Sequence, residues 1–121
     1  METPVKLIVG NWKMNGMRAH LDEVEAIGRV AAAHPAVEVG LCLPATLIMA
    51  GSERRGAAFI GAQNCHMDIS GAYTGSLSAE MLAEAGAKPE HLVRLTWYVR
   101  DRDDYMAAGK ALGAAYREFF G

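Results

Sequence analysis

VKLIVGNWKMNG, residues 5–16, joins a short apolar run to a polar loop closed by glycine. Val5 to Val9 is rich in β-branched residues and ends at Gly10, which is the pattern of a strand. The loop through Asn15 and Gly16 therefore stands directly after a strand, where parallel α/β folds place ligand groups. Lys13 there offers a point charge for a phosphate or a developing oxyanion, and Asn11 offers a neutral amide donor beside it. Spacing alone leaves open the plainer alternative of a solvated lysine and a turn-forming asparagine, because such turns are common.

The rest of the chain repeats this alternation. Leu21, Val24, Ile27, Val30 and Ala31 line one face of a helix expected from Arg18 to about His34, and Pro35 ends it. Val37 to Leu43 is a second strand, Pro44 to Ala50 a short helix with proline near its first turn, and Ala57 to Gln63 a third strand of weaker propensity. Residues 64–77 form a loop longer than the usual four to six or so residues, and long ordered loops tend to carry function. Ser78 caps a helix expected over Ala79 to Ala85, with Gly86 as its terminator. Leu92 to Val99 is the strongest strand signal, and Asp101, with Asp104 three residues on, starts a final helix carrying Tyr105, Leu112, Tyr116 and Phe119 at helical spacing. Strand and helix thus alternate four times, which implies an α/β protein of four βα units with parallel strands. Four units do not close an eight-stranded barrel, so an open sheet of this kind is expected to cover its edges by self-association into a homo-oligomer.

At 121 residues the chain is the size of about one domain. Its 51% hydrophobic and 21% charged content excludes a disordered tail. Twelve basic against fourteen acidic residues give no electrostatic footprint for nucleic acid. Lys6, Lys13, Arg18 and Asp22 interrupt the apolar stretches, so neither a membrane span nor a secretory leader fits the start, and the chain reads as cytoplasmic. Cys42 and Cys65, in no metal-binding pattern, read as reduced, buried thiols. His20, His34 and His91 are isolated, so no metal is expected, and without a glycine-rich nucleotide loop no cofactor is either. The seven methionines read as packing residues.

VGNWKMNG resembles the first active-site loop of the triosephosphate isomerases. CLPAT at 42–46 is similar to the end of that family's second strand, and GAQNCH at 61–66, SGAYTG at 70–75 and SAEMLAEAGA at 78–87 are similar to its third strand, loop and helix. The resemblance covers residues 5–88 and implies part of a TIM barrel. It implies that Asn11, Trp12 and Lys13 contact a small phosphorylated carbonyl compound, with Asn11 and Lys13 catalytic through electrostatic stabilisation. It also implies that Thr74 reaches a partner subunit's site and that Gln63 and Asn64 back the site. Ser76 stands where the family usually has a glutamate that pins its dimer. The family's histidine electrophile and glutamate base belong to later segments that this sequence does not contain, so weak or no turnover is expected. Glu38, Glu53 and Asp68 are the acids nearest the first three units.

Residues 85–121, and LVRLTWYVRDRDDY in particular, resemble the middle of the RidA-type enamine/imine deaminases, a trimeric family with its site between subunits. That resemblance implies a join near residues 84–91 and a final strand and helix of different origin, within a single α/β domain over 1–121. The expected functions are therefore triosephosphate isomerase-like binding, a non-catalytic oligomerising chimera or fragment, or a deaminase relative.

Overall fold

The computed structural model describes residues 5–87 and 101–120. The chain divides into two units, Met1–His91 and Leu92–Gly121. In the first, β1 (Lys6–Asn11), β2 (Val37–Cys42) and β3 (Phe59–Gly61) form an open parallel sheet in the order β1-β2-β3. The crossovers are α1 (Leu21–Ala33), entered through a single 3₁₀ turn at Arg18–His20, and α2 (Ala45–Arg54). The expected α/β architecture with parallel strands is present over these units, and α3 (Ala79–Glu84) follows the long loop after β3.

Register sets where chemistry can sit. Asn11 pairs with Cys42, and Cys42 pairs with Gly61, so all three strands end level. Two further backbone bonds, Trp12 N–H to the Cys42 carbonyl and Leu43 N–H to the Gly61 carbonyl, both 3.1 Å, carry the pairing one residue past the strand ends. The loop after β1 is thereby tied to β2 before it turns away.

The core lies between the sheet and the two crossover helices. Val24 of α1, Leu43 after β2, Ile48 of α2 and Ile60 of β3 are fully enclosed, and Leu82 of α3 joins the same cluster. Burying a side chain of this size contributes about 1.5–3 kcal/mol. α1 comes close enough to the turn before β3 that a Cβ on Gly28 would lie 2.2 Å from the Arg55 carbonyl oxygen. Outside the core the same two helices are clamped by Arg54, whose Nε donates to Glu25 at 2.7 Å and whose Nη2 donates to Asp22 at 2.6 Å.

Several elements differ from expectation for local reasons. The third strand is shorter than Ala57 to Gln63, because the Ala58 N–H turns back to the Arg55 carbonyl and the chain leaves the ladder after Gly61. α2 runs on to Arg54, where its last turn meets the carboxylates of α1. Val30, expected on the inner face of α1, is 58% exposed. Cys42 is half-buried and Cys65 exposed, so the expectation of buried thiols fails for the second. Met14, Met17, Met49, Met67, Met81 and Met106 are exposed, not packed.

In the second unit, Asp101 caps a helix as expected, its Oδ1 accepting from the N–H groups of Asp103 and Asp104 at 2.8 and 3.0 Å. The single helix expected there is two, α4 (Arg102–Ala107) and α5 (Gly109–Phe120). The break falls at Ala108 just before Gly109, the weakest helix former after proline. Tyr105 and Met106 are exposed. The expected strand Leu92–Val99 and the second half of the inferred join at 84–91 lie outside the described residues. Among the described residues no helix is long and apolar enough to cross a membrane.

Candidate functional site

Asn11 ends β1 and Lys13 follows two residues later in a backbone conformation with φ +54°. Lys13 is the only described non-glycine residue with positive φ. A side chain held in the left-handed region costs about 1–2 kcal/mol, so neighbouring contacts must hold it there. Three hydrogen bonds do so. The Lys13 N–H donates to Asn11 Oδ1 at 2.7 Å, Asn15 Nδ2 donates to the Trp12 carbonyl at 2.9 Å, and Gln63 Nε2 donates to the Lys13 carbonyl at 2.8 Å. Gln63 also reaches the Cys42 carbonyl at 3.3 Å, so one amide from beyond β3 fastens the first loop to the end of β2.

Trp12 lies between these residues and packs, half-buried, against the core. Gly16 sits beneath its ring with φ +112°, and a Cβ there would come within 2.7 Å of Trp12 Cε3. The indole anchors the loop from below while Asn11 and Lys13 stay exposed. The Lys13 ammonium makes no ion pair among the described residues. What this arrangement can do chemically is present one uncompensated positive charge, with an amide beside it, at the carboxyl end of a parallel sheet.

Thr74 is exposed at the tip of the long loop. The Ser76 N–H donates to the Tyr73 carbonyl at 3.0 Å and Gly75 has φ +86°, which makes Thr74 and Gly75 the central residues of a tight turn of the kind that needs glycine in its third place. A depression of about 150 Å3 lies beside that turn, lined by Ala45 and Ile48 of α2 together with Gln63, Asn64, Gly75 and Leu77. It excludes Asn11 and Lys13, and Gln63 is the residue common to it and to the first loop. The candidate site is placed by the strand ends and the hydrogen bonds around Lys13, not by this depression.

The acids named from the sequence stand apart from Lys13 in the fold. Glu38 pairs in register with Leu7, four residues before the level of Asn11, and Glu53 is on the last turn of α2. Asp68 accepts the Tyr73 hydroxyl within the long loop. Among the described residues no three His, Cys, Asp or Glu side chains converge as metal ligands. The clamping role of Gln63 is invisible to spacing, since it acts on a carbonyl fifty residues earlier in the chain.

The sequence model of the triosephosphate isomerase family matches residues 6–91, most of the chain. The triosephosphate isomerase of Hyphomonas neptunium is 56% identical over 90 residues, covering 69% of this chain and 35% of its own length. That of Granulibacter bethesdensis is 49% identical over 102 residues and covers 81% of this chain and 40% of its own length. The crystal structure of triosephosphate isomerase from Bartonella henselae superposes with a TM-score of 0.62 at 45% identity, over 70% of this chain and 35% of that one. The chain thus spans about a third of the length of the relatives it matches. None of these matches shows a deaminase-like segment.

Proposed function

The chain belongs to the triosephosphate isomerase family, and from that membership we propose that its first loop is the contact segment for a small phosphorylated carbonyl compound of the dihydroxyacetone phosphate and glyceraldehyde 3-phosphate class. The observation that carries this reading is the strained Lys13, fastened by hydrogen bonds at both its N–H and its carbonyl, because backbone strain persists where the surroundings over-determine it and clusters where side chains must be aimed. Lys13 supplies positive charge to the phosphate and to the oxyanion that develops when the carbon beside the carbonyl loses its proton. That charge grows in the transition state, so the lysine binds it more strongly than the ground state. Asn11 adds a neutral donor, and Trp12 acts mainly by anchoring the loop. Thr74 is the residue that a second copy would present to this loop.

Proton transfer needs a positioned base, worth about 10²–10⁴-fold. Glu38, Glu53 and Asp68 are spent or placed elsewhere. Phosphate and a triose-phosphate analogue are therefore expected to bind these 121 residues weakly, with Lys13→Ala weakening binding roughly tenfold or more. Isomerase turnover of the same polypeptide is expected far below that of a full-length relative. Titration calorimetry and a coupled isomerase assay test the two statements separately, and full turnover from this chain would overturn the second.

The exposed edge of β1 favours a second reading, a non-catalytic self-associating chain whose loop residues are inherited. An intact loop that binds no phosphate at millimolar concentration would select it. The deaminase likeness of residues 85–121 rests on the LVRLTWYVRDRDDY motif alone, and an enamine hydrolysis assay tests it.

A further inference from the structure

Away from Asn11 and Lys13, the long loop is folded around three titratable side chains. The His66 ring stacks on Tyr73 with centroids 3.9 Å apart and planes inclined by 29°. The Tyr73 hydroxyl donates to Asp68 Oδ2, and the Asp68 N–H donates to His66 Nδ1 at 3.0 Å. The three residues close a ring of contacts: imidazole on phenol, phenol to carboxylate, and the backbone of that carboxylate's residue to the imidazole. His66 is further fixed by its own N–H, which donates to the Leu77 carbonyl at 2.8 Å beside the cap of α3. The structure assigns to His66 a single proton state, since a nitrogen that accepts a backbone N–H carries no proton of its own.

We propose that the 66–78 loop is a pH-responsive element, closed when His66 Nδ1 is bare and loosened when the imidazole takes up a second proton. Protonation sets two N–H groups face to face at 3.0 Å, and the ring must rotate to relieve them. Rotation breaks the stack on Tyr73. The freed imidazolium is drawn to the Asp68 carboxylate, whose Oδ2 already accepts from the Tyr73 hydroxyl, so the backbone bond to Nδ1 and the stack are lost together. The hydrogen bond to Asp68 also holds the Tyr73 phenol above its usual range, so the phenol is the donor of this pair. The groups facing His66 in the described structure are Asp68 and Tyr73 of the loop and the adjoining Cys65 thiol, which donates to the His66 carbonyl. α3 contributes Met81 and its cap contributes Ser78, neither of them charged. Closure is therefore present at the higher pH and lost as pH falls, and with it the turn that carries Thr74.

The same protein supplies the control. Asn11 accepts the Lys13 N–H two residues on, the spacing at which His66 accepts from Asp68, so His66→Asn keeps an acceptor that no longer titrates. The experiment is amide hydrogen exchange at Asp68 and Ser76 in the full chain, corrected for intrinsic rates, beside the nitrogen chemical shifts of His66 over the same pH series. The expected result is a bare Nδ1 at neutral pH and a protection loss of roughly two- to tenfold that tracks imidazole protonation, the equivalent of one hydrogen bond. His66→Asn is expected to be protected with no such pH dependence, and His66→Phe, which keeps a stacking ring without an acceptor, unprotected throughout. Protection that stays flat while His66 protonates, or a pH dependence unchanged in His66→Asn, overturns the proposal.

Discussion

Lys13 holds a conformation that glycine would adopt without strain, and this separates its structural cost from its chemical use. Lys13→Gly relieves about 1–2 kcal/mol of left-handed strain and adds about 0.5–1 kcal/mol of backbone entropy to be lost on folding. The variant is expected to be between equal to and about 1.5 kcal/mol more stable than the parent by urea denaturation, while losing the phosphate affinity. Lys13→Ala removes the charge and keeps the strain, so it shows the loss without the gain. Gln63→Ala tests the clamp: with Lys13 intact, phosphate binding should weaken and stability fall by about 1 kcal/mol, the worth of one hydrogen bond. Ser52 offers the opposite sign. Its hydroxyl is buried against Gly86 with no hydrogen-bond partner among the described residues, and a buried orphan costs about 1–3 kcal/mol, so Ser52→Ala should raise the denaturation midpoint.

Packing between elements concentrates on the seam of α1 with α2 and the turn before β3. A methyl group on Gly28 meets backbone that has nowhere to move, so Gly28→Ala should cost roughly 1–3 kcal/mol, a large part of the 5–15 kcal/mol typical of a domain. The Arg54 clamp across the same seam is tuned by pH. Hydrogen bonding from Arg54 holds the Glu25 carboxyl below its usual range. A depressed carboxylate stabilises the fold above its unfolded pKa, and that contribution is lost as pH falls through the lower, folded one. Arg54→Met should therefore be less stable than the parent at neutral pH, and the two stability profiles should converge in acid. At this scale the sequence was informative wherever the signal was local. Ser78, Asp101 and Gly86 end or begin helices by their own chemistry, and each stands at its expected position. Boundaries set by partners were not readable: β1 passes Gly10 to reach Asn11 because Cys42 lies opposite, and Trp12 turns inward because Gly16 leaves it room. The first loop stood out as a candidate site because its motif is compact, whereas its fastening by Gln63 arises only once β3 stands beside β2.

For the molecule as a whole, the unresolved demand is the edge of the sheet. Among the described residues β1 pairs only with β2, and Val5, Leu7 and Ile8 are 57%, 46% and 60% exposed. Leu7 and Ile8 are consecutive and so point to opposite faces, which leaves β1 with a partly exposed apolar side chain on each side among the described residues. A parallel strand of this composition is normally enclosed on both faces, and an unpaired edge is a template for another strand. A second copy carries the same edge and the same apolar faces, so a pairing of β1 with its symmetry mate is self-complementary and closes as a dimer. We predict that light scattering finds at least twice the chain mass at micromolar concentration. Ile8→Lys should restore the monomer, because a charge on this strand opposes edge pairing and the position is open enough to accept lysine without disturbing the core. A parent chain that stays monomeric at every concentration would remove the prediction. A lysine variant that still dimerises would move the contact from β1 to the long loop, where Met67 and Ile69 are also exposed, and that outcome would make the mass sensitive to the protonation of His66.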